Sequence, residues 1–236
     1  GISSLKGVLQ SEDIQCTIQC LKRLGVKIVR KNNIYFVFGN GLNSFKSPKG
    51  KWLNFGNAGT LARILSGLLA TNENIKIKIF GDKSLNRRNM QRIIEPLSKI
   101  GCIFKPVNKK TLPLIIQGTN MPLAQHHVEK LGSSQVKSSI LMAALDTPGV
   151  TTIEEKKLSR NHTENLLQNL GADIKIKKFK KHNLISIHGQ KDMNSFNLEI
   201  PGDPSSSAFF IALALLTKGS SLKIKKINLN PFRTGF

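Results

Sequence analysis

Three short stretches set small polar residues directly before an apolar helical pattern. They are Gly56-Asn57-Ala58-Gly59-Thr60, Gly132-Ser133-Ser134-Gln135 and Gly202-Asp203-Pro204-Ser205. Small residues at a helix start leave backbone N–H groups unobstructed, and the helix dipole adds partial positive charge. Such a place suits a phosphate or a carboxylate. Any one of the three alone is better explained by ordinary capping from Asn57, Ser133 or Ser205. Two arginines shift the balance. Arg88 and Arg160 are each expected at the start of another helix, where a cation opposes the dipole. A planar guanidinium fork aimed at a carboxylate or phosphate accounts for them better than structure does. The chemistry indicated is the binding of small anions.

Other chemistries find no support. The chain has no phosphate-binding loop of the G-x-x-x-x-G-K-[ST] type and no G-x-S-x-G elbow. His126 and His127 are adjacent, so in a strand they point to opposite faces and cannot share a metal. Asp82 and Asp203 read as residues that cap and stiffen turns, and no acid–base pair stands out. The three cysteines, Cys16, Cys20 and Cys102, form neither a disulfide framework nor a metal-ligand set. They read as packing residues in a reducing, cytoplasmic setting. No cofactor or metal is expected.

The elements that must position these residues repeat along the chain. Gly56, Gly132 and Gly202 are separated by steps of 76 and 70 residues. Thr71, Thr147 and Thr217 keep the same steps. So do the helix-end signatures Leu21-x-x-Leu24-Gly25, Leu97-x-x-Ile100-Gly101 and Leu167-x-x-Leu170-Gly171. Glycine there suits the left-handed position that ends a helix. Two independent markers on one period define an internal repeat. Helices are expected at 13–24, 60–69, 88–100, 135–145 and 160–170. Strands are expected near 4–8, 26–29, 34–38, 75–80, 102–105, 114–117, 174–178 and 184–188. The fold class is α/β (α+β), built from βαβαββ units.

The chain has 236 residues, 36 of them Lys or Arg and 14 Asp or Glu, for a net charge of +22. The excess lysines alternate with isoleucine in stretches such as Ile75–Phe80, so most of the charge reads as a solvated face. No nucleic-acid-binding motif accompanies it. No apolar run is long enough to span a membrane. The chain opens at Gly1 without an initiator Met, so its natural N-terminus is expected to lie upstream.

Six segments carry a resemblance to a known family: GNAGT (56–60), GDKSLNRRNMQRIIEPLSKIG (81–101), SSQVKS (133–138), SRNHTENLLQNLGA (159–172), PGDPSSSAFF (201–210) and LNPFRTG (229–235). In this order they resemble the 5-enolpyruvylshikimate-3-phosphate (EPSP) synthases, and the longer ones look like the class II branch. The resemblance implies two domains of three βαβαββ units each, a pseudo-threefold inside-out α/β barrel, with helix N-termini facing a cleft between the domains. It divides the chain into 1–199, a shikimate-3-phosphate-binding domain lacking its N-terminal edge, and 200–236, the opening unit of a second domain.

The resemblance also implies roles. Asn57, Gly59, Arg88 and Gln135 fall where the family binds phosphoenolpyruvate. Ser133, Ser134, Gln135, Ser159 and Arg160 fall where it binds shikimate-3-phosphate. Asn89 departs from the proline usual in the family. The family's Pro-Gly-Ser-Lys-Ser segment would precede Gly1, and its acid–base residues would follow Phe236. A monomeric, substrate-binding half of a carboxyvinyl transferase is therefore expected, inactive alone and in need of the missing second domain. The sister transferase acting on UDP-N-acetylglucosamine and a basic nucleic-acid-binding module are the alternatives.

Overall fold

The computed structural model describes residues 1–235. Strand β1 (Ile2–Lys6) leads into helix α1 (Glu12–Arg23). The Ser11 hydroxyl oxygen starts that helix by accepting the Ile14 N–H, with Glu12 and Asp13 in the first turn. Strands β2 (Lys27–Lys31) and β3 (Ile34–Phe38) form a hairpin. Asn32 and Asn33 at its tip both take positive φ, 48° and 61°, the geometry that matches the twist of the flanking strands.

The second unit runs through β4 (Trp52–Asn54), α2 (Gly59–Ala70), β5 (Lys76–Phe80), α3 (Lys83–Arg87), α4 (Gln91–Ile100), β6 (Ile103–Lys105) and β7 (Leu114–Gln117). The third comprises β8 (His126–Glu129), α5 (Ser134–Ala144), β9 (Val150–Glu155), α6 (His162–Asn169), β10 (Asp173–Lys178) and β11 (Asn183–His188). Strand β12 (Asn197–Glu199) and helix α7 (Pro204–Leu216) close the chain.

The strands make three four-stranded sheets of one topology: β4-β5-β7-β6, β8-β9-β11-β10 and β12-β1-β3-β2. In each, the first pair is parallel and the other two are antiparallel. The repeat in the sequence is therefore a repeat of sheets. The first sheet takes its opening strand from the far end of the chain, because β12 lies parallel to β1. Alternation sets the faces: Ile77 and Ile79 are buried while Lys76 and Lys78 are outside. No hydrogen-bonded barrel closes among the described residues. Two helices lie inside, with nine of the twelve residues of α2 and eight of the eleven of α5 buried. A helix buried on nearly all sides belongs to the core. Gly67 permits their approach, since a Cβ there would lie 2.1 Å from the Ser139 carbonyl oxygen.

Among the described residues the first sheet has no helix equivalent to α2 and α5. In that position is a groove of about 460 Å3 lined by Val26, Leu42, Phe45, Leu68, Met142 and Phe196 among others. Helix α7 is apolar on all sides yet exposed, with Phe209 79% and Leu216 86% accessible.

Several expectations need correction. The first strand lies two residues earlier than 4–8. The helix expected over 88–100 starts three residues later, as α4, and the separate short helix α3 lies ahead of that range. Asp82 starts α3 early by accepting the Leu85 N–H at 2.7 Å, and Arg88 is an extended C-cap at ψ 137°, which breaks the path into α4. Arg88 thus stands at a helix end, where the dipole favours a cation, and the dipole argument for it fails. Asn57 is not a cap: Ala58 occupies that position without a side-chain bond. Ser133 does cap, accepting the Val136 N–H, whereas α7 is capped by Asp203 and not Ser205.

Candidate anion-binding cleft

Strands β8 and β9 run parallel and in register, and each ends in a buried glutamate, Glu129 and Glu155. Each carboxylate holds the loop that follows it. Glu129 Oε1 accepts the N–H groups of Leu131 (2.6 Å) and Ser133 (3.4 Å). Glu155 Oε1 accepts both the N–H (2.9 Å) and the hydroxyl (2.6 Å) of Ser159. Burial raises the Glu129 carboxyl, but His127 and the two backbone donors outweigh it and hold the group below its ordinary pKa.

These two loops and the start of α5 wall a cavity of about 610 Å3. Ser133, Ser134, Gln135, Ser159 and Arg160 all line it, so five of the sequence-predicted residues meet in one place. Arg92, Ser205, Phe232 and Arg233 complete the wall, and no carboxylate is among the lining residues. The N–H groups of Ser134 and Gln135, in the first turn of α5, have no intrahelical acceptor.

Gln135 joins this cavity to the start of α2. Its Oε1 accepts from Arg63 Nη1 at 2.6 Å, and its Nε2 donates to Thr60 Oγ1 at 2.9 Å. One helical turn away, Arg88 Nη2 donates to Asn57 Oδ1 at 2.7 Å. Gly59 lies against the same guanidinium: a Cβ would sit 2.8 Å from Arg88 Nη1 and 3.4 Å from Arg63 Nη1. Asn57, Gly59, Arg88 and Gln135 are therefore contiguous.

Several residues of this region escape a reading of the sequence alone. Arg63 is 6% exposed and has no carboxylate partner among the described residues. Burial, then the charges of Arg92 and Arg88, push its guanidinium below the ordinary pKa. An arginine inside an apolar helix reads as a solvent-facing residue until α5 is seen to pack on it. Arg233 reaches back from the far end of the chain to Asp203 and Ser205. Burial, Arg233 and Arg160 together lower the pKa of His162, so cations crowd this end of the cleft.

The arrangement can bind a compact, multiply charged anion. It offers helix-start N–H groups, serine hydroxyls and several arginines, and the nearby carboxylates are turned to support. No group of three His, Cys, Asp or Glu residues converges to hold a metal among the described residues. No described helix is long and apolar enough to cross a membrane.

The family model of EPSP synthase (3-phosphoshikimate 1-carboxyvinyltransferase) matches residues 1–236. The chain belongs to the EPSP synthase family. It is 40% identical over its whole length to the 3-phosphoshikimate 1-carboxyvinyltransferase of Streptococcus equi subsp. zooepidemicus (strain MGCS10565), of which it covers 54%. It is 36% identical to the protein of that name from Acidiphilium cryptum (strain JF-5), covering 53%. An EPSP synthase structure from Acinetobacter baumannii superposes on the whole chain with a TM-score of 0.87 at 34% identity, over 52% of its own length. The chain thus spans about half the length of the EPSP synthases it matches. Cys102 is buried between α4 and β6, and burial pushes its thiol up to about 12.

Proposed function

We propose that this chain is the shikimate-3-phosphate-binding half of an enzyme that transfers the enolpyruvyl group of phosphoenolpyruvate to shikimate-3-phosphate. The observation that carries the reading is the convergence of Ser133, Ser134, Gln135, Ser159 and Arg160 on one cavity. Shikimate-3-phosphate is assigned to that cavity. Phosphoenolpyruvate is assigned to the adjoining Asn57–Gly59–Arg88 side, with Gln135 between the two. The transfer adds the shikimate 5-hydroxyl to C2 of phosphoenolpyruvate and expels phosphate, which needs proton donors and acceptors at the reacting carbons. The cavity wall supplies anion-binding groups and no carboxylate, so the chemical step is assigned to a second domain, of which residues 200–236 are the opening. The free cysteines fit a reducing, cytoplasmic setting.

The test is calorimetric titration of the chain with shikimate-3-phosphate, with a phosphate-release assay alongside. Saturable, salt-sensitive binding is expected, weakened by Ser133→Ala and by Arg160→Ala. Addition of phosphoenolpyruvate is expected to release no phosphate above background. Turnover by the chain alone would overturn the assignment of the chemistry.

A further inference from the structure

Behind the cleft lies an ion cluster. Lys137, 0% exposed, donates from Nζ to Glu155 Oε1 at 2.7 Å and contacts Glu164 Oε1 at 2.6 Å. Three buried charges on three elements, α5, β9 and α6, meet at one ammonium group. Clusters of this kind add little stability over a well-packed apolar core, because desolvation offsets the attraction. Their presence here therefore needs an explanation other than stability.

Glu155 Oε1 shows what the cluster does. The same oxygen that receives Lys137 also receives the Ser159 N–H and the Ser159 hydroxyl. A hydroxyl has one proton. Ser159 gives its proton to Glu155 and so cannot donate it to a ligand at the same time. Ser133 differs: its oxygen accepts from Val136 N–H, which leaves its proton free. Arg160, next to Ser159, is exposed and lines the cavity. The far side of that arginine is also pinned, since Asn161 Oδ1 accepts from Asn230 Nδ2 at 2.8 Å. With both chain neighbours held, the backbone of Arg160 is fixed before binding, so less freedom is lost there.

We propose that Glu155, held by Lys137, is a positioning residue that fixes Ser159 and thereby presents Arg160 to the phosphate of the ligand. Ser159 acts through Glu155 and is not itself the donor. This rests on the cleft being a phosphate-ester site. The charge-bearing carboxylate matters because it makes both bonds to Ser159 charge-assisted.

The test compares wild type, Glu155→Gln, Glu155→Asp, Ser159→Ala and the double variant Glu155→Gln/Ser159→Ala by calorimetry with shikimate-3-phosphate and with shikimate. Glu155→Gln leaves the Lys137–Glu164 pair in place. Glu155→Asp keeps the charge but withdraws it by one methylene, so it answers the question if the glutamine variant fails to fold. Each single variant should bind shikimate-3-phosphate about ten-fold more weakly, the size of one charge-assisted hydrogen bond. Shikimate affinity should stay as it is, and the double variant should be no worse than the singles. Additive losses would make Ser159 a direct donor and overturn the proposal. So would wild-type affinity in Glu155→Asp, or equal losses for shikimate and its phosphate. If wild type ignores shikimate-3-phosphate but binds inorganic phosphate, the substrate reading falls and the same variants are scored with phosphate. If it binds neither, both readings fall.

Discussion

At the scale of single residues, Gly59 and Asp146 give opposite lessons. Gly59 leaves room for the Arg88 guanidinium, so Gly59→Ala should displace that group and weaken phosphoenolpyruvate binding several-fold. The helix start itself accepts alanine, so Tm should stay within a few degrees. The two effects are read by ligand titration and thermal melting. Asp146 lines the apolar groove, and burial pushes its carboxyl from 3.8 up to about 6. Between those pH values the folded chain holds the proton that the unfolded chain releases, so stability falls as pH rises through that window. Asp146→Asn lacks this proton. Its Tm should move above that of wild type as pH is raised from about 4 to about 7, and a constant difference across the window would refute the burial effect. Much of the cleft was legible at this scale, because Ser133 and Gln135 stand at an evident helix start. Glu155 and Lys137 were not. A glutamate ending a strand and a lysine within a serine-rich helix look solvent-facing, and only the meeting of α5, β9 and α6 buries them.

Among the elements, the α2–α5 contact bears the most. A methyl at Gly67 would meet the Ser139 carbonyl at 2.1 Å, and backbone cannot step aside as a side-chain tip can. Gly67→Ala should therefore destabilise by about 1–3 kcal/mol despite the better helix propensity of alanine, and lower Tm accordingly. An unchanged melt would mean the two helices can separate at no cost. Nothing in the sequence distinguishes Gly67 from any other small residue in an apolar helix, because the close approach is made by a segment some 70 positions away. Local devices were easier to read. The Asn32–Asn33 turn and the Ile/Lys alternation of β5 set their elements directly. Helix α3 was not legible, because Asp82, read as capping a turn, starts a single short helix that ends before Arg88.

For the whole molecule, the threefold repeat was the most legible feature, since glycine, threonine and helix-end spacings all report it. The assembly of the first sheet was not, since β12 joins β1 from the other end of the chain. Helix α7 keeps the spacing of α2 and α5 but not their burial. Amide exchange at Ala212 should accordingly be much faster than at Ala143, which is 0% exposed within α5. Equal protection would show that α7 is as well held as the core. The net charge of +22 raises the other whole-molecule question, whether anions bind at the cleft or anywhere along the lysine-bearing strands. Backbone chemical-shift mapping with shikimate-3-phosphate answers it most directly. The cleft account predicts saturable shifts confined to Ser133–Gln135, Ser159–Arg160 and their neighbours. Shifts spread over the lysines of β5 and β10, with the cleft amides unmoved, would contradict it.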